Sequence, residues 1–384
     1  MAQAYIVDAV RTAGGRRNGR LSGTHPADLA GDVLSALVAR TGIDPAAIED
    51  VVLGCVTQVG EQSFAFARNA VLASTLPTSV PAVTVDRQCG SSQQAVQFAA
   101  QAVMSGTQDI VIAAGAESMS RVPMFSNQAG GAGPVSDRIR QRFGVNGFSQ
   151  FEGAEMMARK YGYSRDTLDR FALRSHQLAA AAIEAGAFEK EIVPVTIKTP
   201  DGFSAHLVDE GVRADSTLEK IGALKTLVEG GVITAGNASQ ICDGASALLV
   251  VSERALKAHG LTPIARIHAM AVTAGDPVIM LEEPLAATQK LLERSGMSID
   301  EIDLYEVNEA FASVPLAWLD VIKADPARLN IHGGSIALGH PLGSSGTKLM
   351  ATLVHALRRH GKRYGLQTMC EAGGIANAMI IEAL

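Results

Sequence analysis

Four residues in this chain have both the chemistry and the local setting of reacting groups: Cys89, His340, Cys370 and Asn308. Cys89 stands in Asp86-Arg87-Gln88-Cys89-Gly90-Ser91-Ser92, between the apolar run Val83-Thr84-Val85 and a stretch, Ser91 to Ser105, whose apolar residues recur at helical spacing. A thiol at the start of a helix meets unpaired N–H groups and the positive end of the helix dipole, which favour its thiolate. His340 lies between Gly339 and Pro341, and the proline biases its backbone toward an extended form that turns the ring outward. An imidazole within hydrogen-bond reach of a thiol gives a thiolate–imidazolium pair. Cys370 follows the strand candidate Leu366-Gln367-Thr368-Met369 and precedes Ala372-Gly373-Gly374, a turn whose backbone can approach a ligand. Asn308 ends another strand candidate, where an amide can hold a water or donate to an oxyanion. One thiol with a histidine explains a hydrolase. Two thiols with a histidine allow one group to carry an acyl chain while the other moves a proton at the neighbouring carbon, which is what Claisen chemistry on a thioester requires.

These residues are positioned by an internal repeat. Cys89 and Gly343 are separated by 254 residues, as are Gly42 and Gly296, Ile48 and Ile302, and Ala116-Glu117 and Cys370-Glu371. The shift places His340 over Asp86, so two related turns bring imidazole and thiol together across a pseudo-twofold axis. Beyond Glu117 it fails, because Ala245–Val251 matches 376–382 at a much smaller offset. A segment of about 118–243 is therefore inserted before the last strand of the first half. Each half reads as strand, helix, strand, sharp turn into a helix, then strand, and alternating elements of this kind predict mostly parallel sheets covered by helices. Val51–Leu53 and Asp303–Val307 are short strands. Ile110–Ala114 is a buried one, and the second half adds a helix from Ser345 to His360 and a strand from Gly365 to Met369. In the insert, Asn127 to Pro134 reads as loop and Arg165 to Gly186 as a helix with Leu168, Phe171, Ala172, Leu178 and Ala179 on one stripe.

A chain of 384 residues with 47% hydrophobic residues supports two to three domains with sizeable cores. No apolar run approaches a membrane-spanning length, and the N-terminal Ala4–Val10 reads as a strand, so the expectation is a soluble, cytoplasmic protein without an export signal. Four cysteines, Cys55, Cys89, Cys242 and Cys370, stand far apart without the spacing of a disulfide framework or a zinc site. Cys55 and Cys242 read as small buried hydrophobes, and His25, His176, His259 and His360 as packed or solvated side chains. A net charge of −6 argues against nucleic-acid binding.

Cys89-Gly90-Ser91, Asn308-Glu309-Ala310-Phe311, Gly339-His340-Pro341 and the Cys370 turn, in this order, resemble the active-site loops of the thiolase family, and the resemblance spans the chain from Val10-Arg11-Thr12 onward. The resemblance implies an α/β thiolase-like fold: two stacked βαβαβαββ pseudo-repeat halves in a layered αβαβα core, with an inserted loop domain. The first half would comprise 1–117 and 243–263, the insert that binds coenzyme A and supports oligomerisation 118–242, and the second half 264–384. It implies CoA-dependent cleavage of 3-ketoacyl-CoA to acetyl-CoA or propionyl-CoA and a shortened acyl-CoA, or the reverse condensation, with CoA as co-substrate and no further cofactor or metal. A homodimer or homotetramer would be the working form, with no nucleic-acid or membrane partner. Carried over, Cys89 is the acylated nucleophile, His340 its base, and Cys370 the acid and base at the α-carbon and the CoA thiol. His340 with a water held by Asn308 would form one oxyanion hole, and the N–H groups of Cys89 and Ala372 the other. Ala235 and Ser239, with Ala310 and Phe311 opposite, would contact the pantetheine, and Arg213 and Lys225 the CoA phosphates.

The chain departs from the family pattern in places. Ala372 and Ser92 stand where glycine is usual, and Phe148 to Glu155 replaces the histidine-methionine-glycine segment of acetoacetyl-CoA-forming thiolases. That loop would face the acyl group, so its change points away from the short biosynthetic substrate, and Val85-Asp86-Arg87-Gln88-Cys89 with Gln367-Thr368-Met369-Cys370-Glu371 resembles degradative thiolases of bacterial steroid or branched acyl-CoA breakdown. Two other readings remain at this stage: an acetoacetyl-CoA-specific acetyltransferase, and a thiolase-like protein that binds acyl-CoA without turning it over. A ketoacyl synthase would carry histidine at Asn308 and a residue other than cysteine at Cys370.

Overall fold

Alternation of side chains across short apolar strands builds the centre of the molecule. The computed structural model describes residues 2–200 and 202–384. From the first half of the repeat come β1 (Ala4–Thr12), β2 (Asp50–Gly54), β3 (Ala82–Val85), β4 (Ile110–Ser118) and β5 (Cys242–Ser252). The second half supplies β6 (Ala265–Ala274), β7 (Leu304–Val307), β8 (Tyr364–Glu371) and β9 (Ile375–Ala383). Their order is β7-β8-β9-β6-β1-β5-β4-β2-β3. Strands β3, β2 and β4 run parallel, as do β7 and β8, while β5 and β9 return antiparallel to their neighbours. The pairs Tyr5–Arg266 and Ile6–Ala265 join β1 to β6, so the two sheets are linked by a short antiparallel pairing.

Four helices complete the repeat: α1 (Pro26–Thr41), α2 (Ser91–Ser105), α3 (Pro284–Ser295) and α4 (Ser345–Arg359). Helices α2 and α4 start 254 residues apart and have the same length of 15 residues. Helices α1 and α3 both end on a left-handed glycine, Gly42 with φ 67° and Gly296 with φ 70°, a C-cap that a residue with a Cβ resists. Val250 points inward to Ala95, Ala99, Leu353 and Leu357 of α2 and α4, whereas its neighbours Leu249 and Val251 point outward to Leu34 and Leu37 of α1. The second sheet does the same with Met379 and Ile381 inside and Ile380 outside, beside Leu291 of α3. The result is the five-layered αβαβα core with α2 and α4 in the middle.

Helices α2 and α4 approach so closely that a Cβ on Gly346 would lie 2.0 Å from the backbone N of Gln93. Ser92, its counterpart in the repeat, does carry a side chain, and its hydroxyl accepts a hydrogen bond from Thr347 N at 3.0 Å. The family departure at Ser92 thus has a role, joining the first turns of the two central helices.

Helix α2 spans Ser91–Ser105, the stretch its apolar spacing marks, and Cys89 stands just before it on a tight turn through Gln88. Local boundaries differ from expectation in three places. Cys370 lies within β8, which runs to Glu371, and pairs with Ala376 of β9. The edge strand of the second half, counterpart of β3, is reduced to one parallel bridge, Tyr305–Leu329, and an extra helical turn, Ser335–Leu338, precedes His340. The helix expected to reach Gly186 ends at Glu184, with Leu168, Phe171, Ala172 and Ala179 buried and Leu178 half-buried. Between β4 and β5 the chain also forms helices Asp137–Phe143 and Gln150–Tyr161 and a hairpin, Val195–Thr199 with Gly202–His206. Among the described residues, no helix is long and apolar enough to cross a membrane.

Candidate active site

The turn that presents Cys89 is set by its own side chains. Asp86 Oδ1 accepts Gln88 N at 2.7 Å, Gln88 takes a left-handed φ of 48°, and Ser91 Oγ accepts Arg87 N at 2.9 Å while donating to Gln88 O at 2.6 Å. Gly90 follows, where a Cβ would lie 1.9 Å from Glu371 Oε1 of the other half. Cys89 is buried, 7% exposed. Burial first, and then the Glu371 carboxyl, push its thiol up to about 12.

His340 is fixed from both sides. Gly339 before it has φ 82°, and a Cβ there would lie 2.6 Å from Cys242 Sγ. The His340 N–H donates to Gln240 O at 3.0 Å. Ser345 Oγ lies 2.5 Å from Nδ1 and donates its one proton to Pro341 O at 2.9 Å, so Nδ1 carries the hydrogen of that contact and Nε2 is the free base. Asn308 Nδ2 stands 3.4 Å from Nε2, and its Oδ1 accepts from Ser335 Oγ at 2.6 Å, which fixes the amide's orientation. Burial, helped by the Lys348 ammonium, pushes His340 down to about 3. Burial works against the thiolate–imidazolium pair expected from sequence and favours the neutral thiol and the neutral imidazole.

Cys370 is fully buried, and burial, then charge on Cys89 and then Glu371, raise its thiol well above the usual range. The coupling of the two thiols places them in one electrostatic environment. After β8 the chain turns through Ala372, Gly373 at φ 90° and Gly374 at φ 71°.

Two adjoining cavities open on Cys89 and His340, while the buried Cys370 and Asn308 line neither. One of about 600 Å³ is walled by Cys89, Ala372, Phe125, Phe148, Phe151 and Met280 among others, and no charged side chain lines it. The other, about 510 Å³, is walled by His340, Ala235, Ser239, Ala310, Phe311 and Arg213. They share Met124, Gln150, Phe151 and Leu342. Ser239 N donates to Ala310 O at 2.9 Å and Ala238 bridges Phe311, so the two candidate binding loops form one wall. Lys225 is exposed and lines neither cavity, while Arg16 and Arg17, overlooked in the sequence, line the second beside Arg213. Their signal was a basic pair directly after Gly14-Gly15. A further cavity of about 660 Å³ lies elsewhere among Arg40, His259, Arg358 and Arg359. Those basic side chains occupy the last turns of their helices, where arginines answer the helix dipole. Among the described residues, no three of His, Cys, Asp and Glu are grouped as metal ligands.

Comparison with known proteins agrees along the whole chain. Residues 4–254 match the family description "Thiolase, N-terminal domain" and residues 261–383 "Thiolase, C-terminal domain". The chain is 52% identical to the steroid 3-ketoacyl-CoA thiolase FadA6 of Mycobacterium tuberculosis, over 100% of this chain and 95% of that protein. It is 43% identical to a β-ketoadipyl-CoA thiolase of Escherichia coli, with 100% of both covered. Its fold superposes on the crystal structure of Bacillus anthracis acetyl-CoA acetyltransferase with a TM-score of 0.92 at 37% identity, over 100% of this chain and 99% of that one.

Proposed function

This chain belongs to the thiolase family, and from that premise we propose that it cleaves 3-ketoacyl-CoA with CoA, releasing acetyl-CoA or propionyl-CoA and a shortened acyl-CoA. The observation that carries this reading is the joint burial of two electrostatically coupled thiols, Cys89 and Cys370, with a buried imidazole whose Nε2 is unprotonated on the wall of the adjoining cavity. His340 Nε2 takes the Cys89 proton as sulfur adds to the C3 carbonyl. The C2–C3 bond breaks, the acyl group stays on Cys89, and the enolate of the departing acyl-CoA takes the Cys370 proton. Cys370 thiolate then deprotonates incoming CoA, whose sulfur attacks the acyl-Cys89 thioester, and His340 returns its proton to Cys89. His340 with Asn308 supports the enolate oxygen, and the N–H groups of Cys89 and Ala372 the tetrahedral oxyanion. CoA is a co-substrate, and no other cofactor takes part.

The pantetheine lies along Ala235, Ser239, Ala310 and Phe311, and the CoA phosphates meet Arg16, Arg17 and Arg213. The acyl group occupies the charge-free cavity, which at about 600 Å³ exceeds what an acetoacetyl group fills. This favours larger acyl groups, including steroid-derived or branched ones of lipid breakdown, over an acetoacetyl-specific role. In this reading the functional division of the chain is 1–117 with 243–263, an insert at 118–242, and 264–384. The working form is an oligomer, at least a dimer. Edge strand β3 has Val83 48% exposed and the neighbouring Phe64 is 90% exposed, features suited to pairing with a second copy. A cytoplasmic setting suits four free cysteines.

The test is thiolysis of a 3-ketoacyl-CoA panel, from acetoacetyl-CoA to long-chain and steroid-derived esters, by the parent and by Cys370→Ala. Cleavage of bulky esters is expected, and the variant should lose turnover yet still acylate Cys89. Activity confined to acetoacetyl-CoA would make the chain an acetyltransferase, and no activity on any ester would restore the binding-protein reading.

A further inference from the structure

A lysine buried one turn inside the positive end of a helix is electrostatically unfavourable and calls for a reason. Lys348 of α4 is such a residue, 4% exposed. Its Nζ donates to Leu338 O at 2.6 Å and to Gly339 O at 2.9 Å, the carbonyls of the two residues before His340. Ser345, three positions earlier on the same helix face, holds the His340 ring at Nδ1. One helical turn thus grips both the backbone and the ring of His340. A neutral filler would serve packing equally well; it would neither bind two carbonyls at once nor place a positive charge beside the imidazole.

Charged groups surround this ammonium. Asp209 and Glu191 of the insert face it, balanced by Arg11 of β1, which pairs with Glu191 at 2.6 Å and Asp209 at 2.8 Å. Thr352, one turn further along α4, donates to Glu191 at 2.9 Å. Cys242 of β5 lies beside Lys348, and Glu306 of β7 shares a small enclosed pocket with it. Burial draws the ammonium's affinity for its proton down, and charge on Cys242, Asp209 and Glu191 works against that loss while Arg11 adds to it.

We propose that Lys348 is a positioning residue for the thiolase reaction: its ammonium fixes the His340 turn through two carbonyls. The same charge beside the ring favours the neutral, proton-accepting imidazole. This rests on the activity proposed above. In kinetics, Lys348→Met should lower kcat by roughly ten- to a thousand-fold, since a displaced base loses about a hundredfold per ångström, with the KM for CoA changed less than about threefold. The acid limb of kcat/KM should move to higher pH, because removing a positive charge raises the proton affinity of His340. Lys348→Arg should recover most of both effects. Lys348→Gln, which keeps a donor without the charge, should shift the limb with a smaller loss of kcat, and it serves if the methionine variant does not fold.

In the unmodified enzyme, 15N-histidine spectra should show His340 as the neutral Nδ1–H tautomer down to about pH 5. A protonated ring at pH 6, an acid limb unmoved in the neutral variants, or a loss that arginine does not recover in a folded protein would overturn the proposal. A parent without thiolysis on any ester would count against the activity itself, whereas an active parent with unchanged variants counts against Lys348 alone.

Discussion

Replacing Gly346 by alanine tests whether the two central helices really set the site. The new Cβ would sit 2.0 Å from Gln93 N and 2.7 Å from both Gln93 Cα and Cβ, atoms of a neighbouring helix that cannot rotate away. Ordinary contact begins near 3.4 Å, so α2 and α4 must separate by about 1.4 Å at their first turns. Overpacking of this kind costs about 1–3 kcal/mol, and the helical preference of alanine over glycine, about 0.5–1 kcal/mol, offsets only part of it. The functional loss should be larger than the stability loss. The displaced turns carry Cys89 on one side and His340 with Ser345 on the other, and an ångström of misplacement costs about a hundredfold in rate. The assay is thiolysis in parallel with urea denaturation, with Gly147→Ala as control. Gly147 has nothing within 4 Å of its would-be Cβ and should stay within about 0.5 kcal/mol of the parent. A Gly346→Ala enzyme with kcat within about threefold of the parent and an unmoved denaturation midpoint would refute the reasoning.

Further outcomes follow from the same geometry. Because Cys89 is raised to about 12 and His340 lowered to about 3, the free enzyme should show no thiolate plateau between pH 5 and 9. Alkylation of Cys89 by iodoacetamide should instead rise with pH throughout, and a plateau near neutrality would show an ion pair after all. Arg11→Met leaves Glu191 and Asp209 buried without their guanidinium and should destabilise the protein by about 3–5 kcal/mol, read from the denaturation midpoint. Arg16→Ala and Arg17→Ala should each raise the KM for CoA several-fold without lowering kcat, whereas Lys225→Ala should leave both alone. Equal effects at all three positions would contradict the placement of the phosphates.

The repeat made much of the core readable in advance. A single shift of 254 residues located α4 from α2 and β8 from β4, because pseudo-equivalent elements keep their lengths when they pack against one another in the middle layer. It misled where the halves differ, since the degenerate edge at Leu329 and the added turn Ser335–Leu338 have no counterpart in the first half. Cys89, His340, Cys370 and Asn308 stood out by residue type and by the turns around them. The protonation of Cys89 and His340 did not, because it depends on burial and on Glu371 and Lys348, which are distant in sequence or placed only by the fold. Arg16 and Arg17 escaped for a similar reason: an exposed basic pair gains meaning only once a cavity is seen beneath it.

Glu117 shows what a contact between the halves means for a growing polypeptide. Its buried carboxylate receives Val56 N and Thr57 N from its own half and Gly343 N, at 2.9 Å, from the turn just beyond His340. The ribosome finishes the first half, nucleophile included, long before the base and the second thiol exist, and domains tend to fold in that order. Until the later turn arrives, Glu117, which also receives Gln62 Nε2 at 2.8 Å, lacks the one donor from the other half, and Cys89 lacks the imidazole that takes its proton. The nascent chain therefore carries an unarmed thiol, and the contact that completes the carboxylate's shell belongs to the same docking event that delivers the imidazole.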